Sequence, residues 1–215
     1  MSDTAMSRTE LVVRTIAQTA VDNETYFCEL DAVVGDGDFG YSLARGFEIV
    51  LSDWDELEYD NPGGLLKKTA LILTKRIGGT SGPIWGTAFL RAGAALGDNT
   101  EPSGEEVIAA LRAAIEGVKQ RGQTDLGDKT LLDALVPAVD ELEKALAEGA
   151  PDALARAAVT GREAAEATKG MLAQRGRASY TGERSRDSVD AGAIGIAVML
   201  EDVSKAWQEA GLERA

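Results

Sequence analysis

The sequence predicts an all-α protein. Apolar residues recur at helical spacing along nearly the whole chain, and no stretch shows the alternation with a period of two that is typical of a strand. The connections are short apart from residues 176–191, and none is a long linker rich in Pro, Gly or Ser. We therefore predict about eight amphipathic helices in one domain that comprises residues 1–215.

Apolar stripes mark the first four helices. The second is expected to begin just after an aspartate-rich loop that ends at Asp38, and the fourth after Pro83. Small residues within the later helices, such as Gly86, Gly93 and Gly161, indicate close approach between helices. In order, the four stripes are Leu11, Val12 and Ile16; Leu43, Phe47, Val50, Leu51 and Trp54; Leu66, Ala70, Leu73 and Ile77; and Phe89, Leu90 and Leu96.

Four further helices are predicted in the second half of the chain. Ser103 fits the N-cap of the fifth helix, ahead of Glu105 and Glu106 in its first turn. The seventh is expected to run from near Pro151 to Leu172. The stripes are Val107, Ile108, Leu111, Ile115 and Val118; Leu132, Leu135, Val139, Leu142 and Leu146; Leu154, Ala158, Ala165 and Met171; and Ile194, Val198, Val203 and Trp207.

Charge and composition exclude several classes of function. A net charge of −14 argues against nucleic acid or an anionic membrane as the main partner. No apolar run approaches the roughly 20 residues that span a bilayer, and residues 1–5 carry no targeting signal, so we expect a cytoplasmic protein. Cys28 is the only cysteine, which excludes an internal disulfide, and the absence of histidine excludes a histidine base, a phosphohistidine and histidine metal ligands.

Asp31, Asp36 and Asp38 are the strongest candidates for a metal site. Glycines at 35, 37 and 40 let the backbone turn tightly between and beside them. Carboxylates that converge in a fold repel one another and need a cation to hold them together. Oxygen-only ligands favour a hard ion, and Mg²⁺ is the usual choice where phosphate oxygens complete the coordination. The alternative is a solvated Asp/Gly turn.

Two further segments are rich in glycine and polar residues. Residues 78–83 (Gly-Gly-Thr-Ser-Gly-Pro) lie between the predicted end of one helix and the start of the next. Free amides and hydroxyls at a helix start could form a phosphate site. Alternatively, the same residues simply form the C-cap of one helix and the N-cap of the next. In residues 126–130 the Gly127 backbone would lie against a nucleotide, with Lys129 or Thr130 near its edge. Alternatively, Asp128 caps a helix and Lys129 faces solvent.

The last such segment, residues 176–193, concentrates arginine in an acidic protein. Arg177, Arg184 and Arg186 could bind phosphate bidentately, or could pair with Glu183 and Asp187. The chain has no Walker loop, and Asp38-Phe39-Gly40 lacks the context of a protein-kinase motif.

Taken together, these segments resemble the nucleotide-binding L subunit of dihydroxyacetone kinase, the module that also forms the C-terminal domain of single-chain dihydroxyacetone kinases. Four motifs in the order of that family carry the resemblance and span residues 30–193. They are Leu30 to Asp38; Gly78 to Pro83 with Gly86 and Thr87; Gly127 to Thr130 with Asp133 and Ala134; and Gly176 to Tyr180 with Gly182 to Ser185 and Asp190.

The resemblance implies an eight-helix barrel of antiparallel amphipathic helices with ADP or ATP at one end. Asp31, Asp36 and Asp38 would hold two Mg²⁺ ions under the nucleotide phosphates, and Arg177 would share the charge of the transferred group. The implied nucleotide-binding residues are Phe39, Gly40, Tyr41, Ser42, Gly79, Thr80, Ser81, Gly127, Lys129, Thr130, Arg177, Asp190, Ala191 and Gly192. Two residues depart from the family pattern: Phe39 stands where histidine is usual, and Ala191 where proline is usual.

The implied activity is phosphoryl transfer to dihydroxyacetone or a related short ketose. A separate K subunit would hold the ketone through a histidine and would supply the acceptor hydroxyl, since this chain has no histidine. The phosphoryl donor would be either exchanged ATP or a phosphotransferase-system protein that recharges bound ADP. Two other interpretations stay open: a non-catalytic nucleotide-binding regulatory module of the same fold, and an all-α structural protein with an acidic calcium loop.

Overall fold

The computed structural model describes residues 4–212. Within that range every regular element is helical, which confirms the predicted all-α class. The α-helices are α1 (Ala5–Asp22), α2 (Glu24–Ala32), α3 (Phe39–Ser52), α4 (Pro62–Arg76), α5 (Ser81–Leu96), α6 (Gly104–Gly122), α7 (Leu132–Ala147), α8 (Ala153–Ala167) and α9 (Ala191–Glu209). Short 3-10 segments are Trp54–Glu56, Thr168–Gly170 and Arg177–Asp187.

Eight of these helices form a closed ring. Starting from α1, the ring continues through α3 and then α4 to α9 in chain order, each packed on the next, and α9 returns to pack on α1. The short helix α2 lies outside this sequence and packs against α3 and α9. The arrangement confirms the eight-helix barrel, with α2 as an addition that we did not predict.

Most residues of the apolar stripes are buried or half-buried between the helices, whereas Leu90, Val107 and Leu146 are exposed. The largest fully buried side chains include Phe27 on α2, Leu43 and Phe47 on α3, and Leu65 and Leu73 on α4. A second cluster joins α6 to α7 through Ile115, Val118, Leu132 and Val139. Burying each such side chain contributes roughly 1.5–3 kcal/mol to folding, so these contacts fix the relative positions of the helices that carry the polar loops.

Glycine permits unusually close contact between α4 and α5. A Cβ at Gly93 would lie 2.7 Å from the Gly63 carbonyl oxygen, and a Cβ at Gly63 would lie 2.8 Å from the Gly93 carbonyl oxygen. Gly86 similarly faces Thr74 without room for a side chain. The close helix approach predicted from Gly86 and Gly93 is therefore present.

Some helix boundaries were wrong in the sequence-based prediction. α2 was missed because only Phe27 of its nine residues is buried, so its apolar stripe is weak. The seventh predicted helix does not reach Leu172: α8 ends at Ala167, where the chain enters a 3-10 turn. α5 begins at Ser81, two residues before Pro83, because proline is tolerated in a first turn, where its missing N–H would be unpaired.

The predicted N-cap of α6 is confirmed. The Ser103 hydroxyl accepts a hydrogen bond from the Glu106 amide (3.2 Å), and the Glu106 carboxylate accepts one from the Ser103 amide (2.8 Å). This reciprocal capping box pairs two amides that the helix itself leaves free. Among residues 4–212, no helix has the length and apolar character needed to cross a bilayer.

Candidate functional site

A cleft of about 270 Å³ lies at one end of the helical ring. The first residues of α3, α5 and α9 line it, as does the segment that leads into α7. A helix N-terminus carries a partial positive charge, so helix starts grouped around one cleft favour an anion. The cleft can therefore attract phosphate although the chain as a whole carries a charge of −14.

The three predicted metal ligands meet on one side of this cleft. Asp31 lies near the end of α2, whereas Asp36 and Asp38 lie in the turn between α2 and α3; we call residues 31–38 the aspartate turn. One carboxylate oxygen from each residue lies within 4.8 Å of those of the other two. The donor set consists of oxygen alone, which suits a hard divalent cation such as Mg²⁺.

Local hydrogen bonds explain how the aspartate turn folds. Asp31 Oδ2 accepts hydrogen bonds from the amides of Gly37 (2.9 Å) and Asp38 (3.1 Å), so the turn closes over the end of α2. Gly37 has a left-handed backbone (φ 75°), and a Cβ at Gly35 would lie only 2.7 Å from Asp31 Cγ. Glycine is thus required at both positions for Asp31 to organise the turn.

The electrostatics of the aspartate turn show the strain of converging carboxylates. Burial raises the pKa of Asp38, the charges of Asp36 and Asp31 raise that pKa further, and Arg177 opposes the change. The Arg177 guanidinium forms an ion pair with Asp36 (Nη2–Oδ2 2.9 Å). A positive group beside these aspartates therefore relieves repulsion, and Arg177 lies within reach of any anion bound in the cleft.

The predicted phosphate segment forms another part of the cleft lining. Gly79 is left-handed (φ 61°), and Thr80 occupies the N-cap of α5 without a side-chain hydrogen bond to the helix. Thr80 and Ser81 both line the cleft. Two hydroxyls beside a helix start that no side chain caps can bind phosphate oxygens.

The segment before α7 is held by a buried aspartate. Asp133 accepts hydrogen bonds from the amides of Gly127 (2.6 Å) and Thr130 (2.7 Å). Lys129 is buried, with a left-handed backbone (φ 62°), so it does not face solvent as the structural alternative proposed. Its ammonium donates hydrogen bonds to the carbonyls of Met171, Ser185 and Ser188.

The arginine-rich stretch forms ion pairs of the predicted kind, and one of its arginines also lines the cleft. We call residues 171–188 the arginine segment. Arg186 pairs with Glu183 (2.8 Å), as the ion-pair alternative expected, whereas Arg177 reaches Asp36 across the cleft. Of these two, only Arg177 lines the cleft.

Asp190 joins the arginine segment to α9. Its carboxylate accepts a hydrogen bond from the Ala193 amide (2.8 Å), and its own amide donates to Thr168 Oγ1 (2.8 Å). The pKa of Asp190 is raised to about 7, mainly by burial and also by the charge of Asp133. The amides of Ala193 and Gly192 and the charge of Lys129 oppose this increase. The capping bond fixes the start of α9, whose first two residues line the cleft.

Phe39, the first residue of α3, turns its ring toward neighbouring helices as well as the cleft. Its ring packs against Phe27 (centroids 5.9 Å apart), and a Cβ at Gly195 on α9 would lie 3.5 Å from it. Phe39 therefore gives the cleft an apolar edge beside the aspartate turn. Ala191, the other departure from the family pattern, lines the cleft at the start of α9.

Most of the predicted site residues lie around this single cleft. The lining members are Asp31, Asp36, Asp38, Phe39, Gly79, Thr80, Ser81, Lys129, Thr130, Arg177, Asp190, Ala191 and Gly192. Gly40, Tyr41, Ser42 and Gly127 do not line it. Gly40 instead packs on α2, where a Cβ would lie 2.7 Å from the Cys28 amide nitrogen, and the Tyr41 ring is exposed beneath Arg45.

Sequence reasoning missed the apolar part of the lining. Leu30, Val34, Ile84, Trp85, Leu131 and Val189 supply this wall. In the sequence such residues cannot be distinguished from core residues, because both lie on apolar stripes. Small-molecule sites are lined mainly by apolar side chains, so this part of the lining can contact an apolar portion of a ligand. Arg175 also lines the cleft and lies 3.4 Å from the Asp128 carboxylate; its position next to Gly176 was the available signal.

Comparison with known proteins identifies relatives over nearly the whole chain. The DAK2 domain matches residues 33–205, a range that includes Asp36 and Asp38 and begins just after Asp31. The chain is 34% identical to the PEP-dependent dihydroxyacetone kinase, ADP-binding subunit DhaL, of Escherichia coli, covering 95% of this chain and 100% of the relative. It is 36% identical to an ADP-binding DhaL subunit of Listeria innocua, and that match covers 84% of this chain and 87% of the relative.

Other relatives are longer proteins. An L-erythrulose kinase of Pectobacterium atrosepticum is 38% identical over 85% of this chain, which spans 32% of that enzyme. The native crystal structure of the C. freundii dihydroxyacetone kinase superposes with a TM-score of 0.73 and 27% identity, covering 93% of this chain and 34% of that one. The structure of the same enzyme in complex with AMP-PNP and Mg²⁺ superposes with a TM-score of 0.70 and 28% identity. That match covers 90% of this chain and 33% of the enzyme chain.

Proposed function

The chain belongs to the DAK2 domain family, and we propose that it is the nucleotide- and Mg²⁺-binding subunit of a dihydroxyacetone-type kinase. The observation that carries the proposal is the convergence of Asp31, Asp36 and Asp38 on a cleft ringed by helix N-termini. Carboxylates alone would repel a nucleotide polyphosphate. A cleft that combines them with helix N-termini and Arg177 is suited to a metal–phosphate complex.

ADP or ATP is proposed to bind with its base on the apolar wall and its phosphates toward the aspartate turn. Trp85 and Leu131 belong to that wall, and Thr80 and Ser81 lie at the start of α5, where amides and hydroxyls can donate to phosphate oxygens. This chain shares the fold of about a third of the C. freundii dihydroxyacetone kinase, which was solved in complex with AMP-PNP and Mg²⁺, and this likeness supports that pair of ligands. The aspartates are proposed to hold two Mg²⁺ ions, which neutralise phosphate charge when bound.

Phosphoryl transfer then depends on position and charge more than on proton transfer. The transition state is loose, with negative charge spread over the transferred group. The Arg177 guanidinium, now 2.9 Å from Asp36, can donate to that charge from the edge of the cleft. Aspartates that bind metal are poor bases, so we assign them no proton transfer.

The acceptor is proposed to be dihydroxyacetone or a related short ketose held by a separate K-type subunit. Relatives of this chain include both dihydroxyacetone kinases and L-erythrulose kinases, which supports a three- or four-carbon ketose. The E. coli relative is described as PEP-dependent and matches over its full length. That supports a phosphotransferase-system protein as donor, with exchanged ATP as the competing route.

We further propose that residues 1–215 form one domain of this kind.

Asp36→Asn and Asp38→Asn test the metal–nucleotide site directly. Each change removes one carboxylate charge while preserving side-chain size, so we expect Mg²⁺-dependent ADP binding to weaken at least 100-fold. Isothermal titration with ADP, with Mg²⁺ and then with EDTA, measures the loss. Asp98→Asn is the matched control, since Asp98 is an exposed aspartate that follows the C-terminal end of α5, away from the cleft.

Tight Mg²⁺-dependent ADP binding by both variants would contradict the proposal. Phosphoryl transfer with the K-type partner, assayed with ATP and with a phosphoenolpyruvate-driven donor system, then separates the two donor routes. Nucleotide binding without transfer to any ketose by either route would instead favour a regulatory module.

A further inference from the structure

Lys129 lines the cleft, yet its ammonium is fully occupied elsewhere. The residue is 2% exposed, and its Nζ donates to the carbonyl oxygens of Met171 (3.3 Å), Ser185 and Ser188 (2.5 Å). An ammonium has three N–H donors and no acceptor. Three carbonyls therefore use its whole capacity, which leaves no donor for a phosphate oxygen.

We propose that Lys129 is a positioning residue that fastens the arginine segment to the wall of the cleft, and that it does not bind the nucleotide itself. The inference rests on the proposed function only where it concerns nucleotide affinity. Its structural part concerns how residues 171–188 are held, and this part can be tested without any ligand.

The three carbonyls lie at the two ends of the arginine segment. Met171 is at its start, and Ser185 and Ser188 are at its end, so one ammonium ties both ends together. The Ala173 amide donates to Ser185 Oγ (3.0 Å), which adds a second tie between the same two ends. Arg177 lies within the loop that these ties close, and it reaches Asp36 from there.

The backbone at Lys129 is built to deliver this side chain. Its left-handed φ of 62° is uncommon for a residue other than glycine and persists only where neighbouring contacts hold it. Asp133 provides such contacts on both sides, through the amides of Gly127 and Thr130. The Asp128 carbonyl also accepts a hydrogen bond from the Gln174 amide (3.0 Å), so the two segments are joined through the backbone next to Lys129.

Electrostatics agree with a structural tie. Burial lowers the pKa of Lys129, while the charge of Asp190 opposes that shift. A buried ammonium is stable only when its donors are paired, and here carbonyls pair all of them. Removing the ammonium would leave three carbonyls without this donor and would weaken the attachment of both ends of the segment that carries Arg177.

Lys129→Met, which keeps the unbranched apolar part of the side chain but removes the ammonium, tests the inference. Hydrogen exchange followed by mass spectrometry is measured on the protein without metal or nucleotide. We expect peptides within residues 171–188 to exchange at least 10-fold faster, with peptides from α4 and α5 unchanged. Lys144→Met is the matched control, because Lys144 is exposed on α7 and should alter neither region. Lys129→Gln keeps an N–H donor on a shorter side chain, so its exchange rates should lie between those of the native chain and Lys129→Met. This second variant keeps the inference testable if Lys129→Met does not fold.

Titration with Mg²⁺ and ADP then tests whether Lys129 affects nucleotide affinity specifically through the position of Arg177, rather than through a general loss of structure. Lys129→Met should weaken binding about 10-fold in the native chain but less than 3-fold in an Arg177→Ala background, because its effect passes through the segment that holds Arg177. Unchanged exchange in residues 171–188 in both Lys129 variants would overturn the inference, whether or not binding is lost. If the native chain binds no nucleotide, the proposed function fails, and the exchange result still decides the role of Lys129.

Discussion

At the aspartate turn, a single residue both organises the backbone and offers a metal ligand. Asp31 Oδ2 accepts hydrogen bonds from the amides of Gly37 and Asp38, so the position of Asp38 depends on the side chain of Asp31. Gly35 leaves the space that the Asp31 carboxylate occupies. Substitutions in this turn therefore act on geometry and on charge together, and isosteric Asp→Asn changes alter the charge with the least change in geometry.

Asp190→Asn should stabilise the metal-free protein at pH 8. The folded pKa of Asp190 is raised to about 7 from an ordinary value near 4. Folded Asp190 thus holds a proton that the unfolded chain releases, and its contribution to stability declines as pH rises from about 4 to about 7. Asparagine keeps the oxygen that caps α9 without the charge. We expect the melting temperature of the variant to exceed that of the native chain by about 2–6 °C at pH 8, with the difference shrinking toward pH 5.

Asp152→Asn serves as the control for this experiment. Asp152 occupies the corresponding N-cap position of α8, is exposed, and makes no side-chain cap. Its replacement should change the melting temperature by less than 2 °C, with little dependence on pH between 5 and 8. An Asp190→Asn protein that is less stable than the native chain at pH 8 would contradict this prediction, because it would show that the ionised carboxylate stabilises the fold.

At the scale of helices, α4 and α5 approach more closely than side chains would permit. Gly63 and Gly93 place each backbone against the other, and Gly86 makes room for Thr74. Close packing of α4 against α5 matters for the site because residues 78–80, in the connection between them, form one wall of the cleft. The geometry of that wall therefore depends on small residues distant from it.

Gly63→Ala should destabilise the protein by about 1–3 kcal/mol, the range for an overpacked contact. The added Cβ would lie 2.8 Å from the Gly93 carbonyl oxygen and would also meet the Gly97 carbonyl, and neither backbone group can move aside freely. Urea unfolding followed by circular dichroism measures the change. Gly104→Ala is the control, since its nearest new neighbour, Leu146 Cδ1, is 3.8 Å away. Equal stability of Gly63→Ala and the native chain would mean that α4 and α5 are less tightly packed than described.

The sequence predicted helices well where one face is strongly apolar and poorly where burial is slight. Both α3 and α7 were evident from stripes that are largely buried, such as Leu43 with Phe47. The helix α2 was missed because Phe27 alone marks its buried side. The end of α8 was misplaced since Met171 continues the apolar spacing beyond the point where the backbone turns. Periodicity reports side-chain character, whereas boundaries depend on tertiary contacts.

For the cleft, the sequence predicted charged and glycine-rich segments but not the direction of side chains. Asp31, Asp36 and Asp38 were found because their chemistry is evident from residue type and spacing. Trp85 was missed because an apolar residue that lines a cleft has the same pattern as one in the core. The burial of Lys129 could not be foreseen, since its partners are backbone carbonyls more than forty residues away in sequence.

The whole molecule behaves as a ring whose open end is completed by four distant stretches of chain. Residues 30–39, 78–85, 129–131 and 175–192 all contribute to the cleft. Closure of α9 on α1, supported by a hydrogen bond from Thr19 to Asp202 (2.8 Å), brings the last of these beside the first. A ligand in the cleft would therefore add contacts between parts of the chain that the helical ring, the Arg177–Asp36 ion pair and the Lys129 hydrogen bonds already bring together.

Binding of Mg²⁺ and ADP together should consequently raise the melting temperature of the whole protein. At ligand concentrations 100-fold above Kd, the stabilisation is about 2.7 kcal/mol, or roughly 5–10 °C for a chain of this size. ADP with EDTA should give less than a third of that shift, because uncompensated phosphate charge meets three carboxylates in a chain of net charge −14. Differential scanning fluorimetry measures the shifts, with KCl at matched ionic strength as the control for general screening of that charge. An equal shift with EDTA would show that helix N-termini and arginines suffice for the phosphates, and would remove the metal from the proposed site.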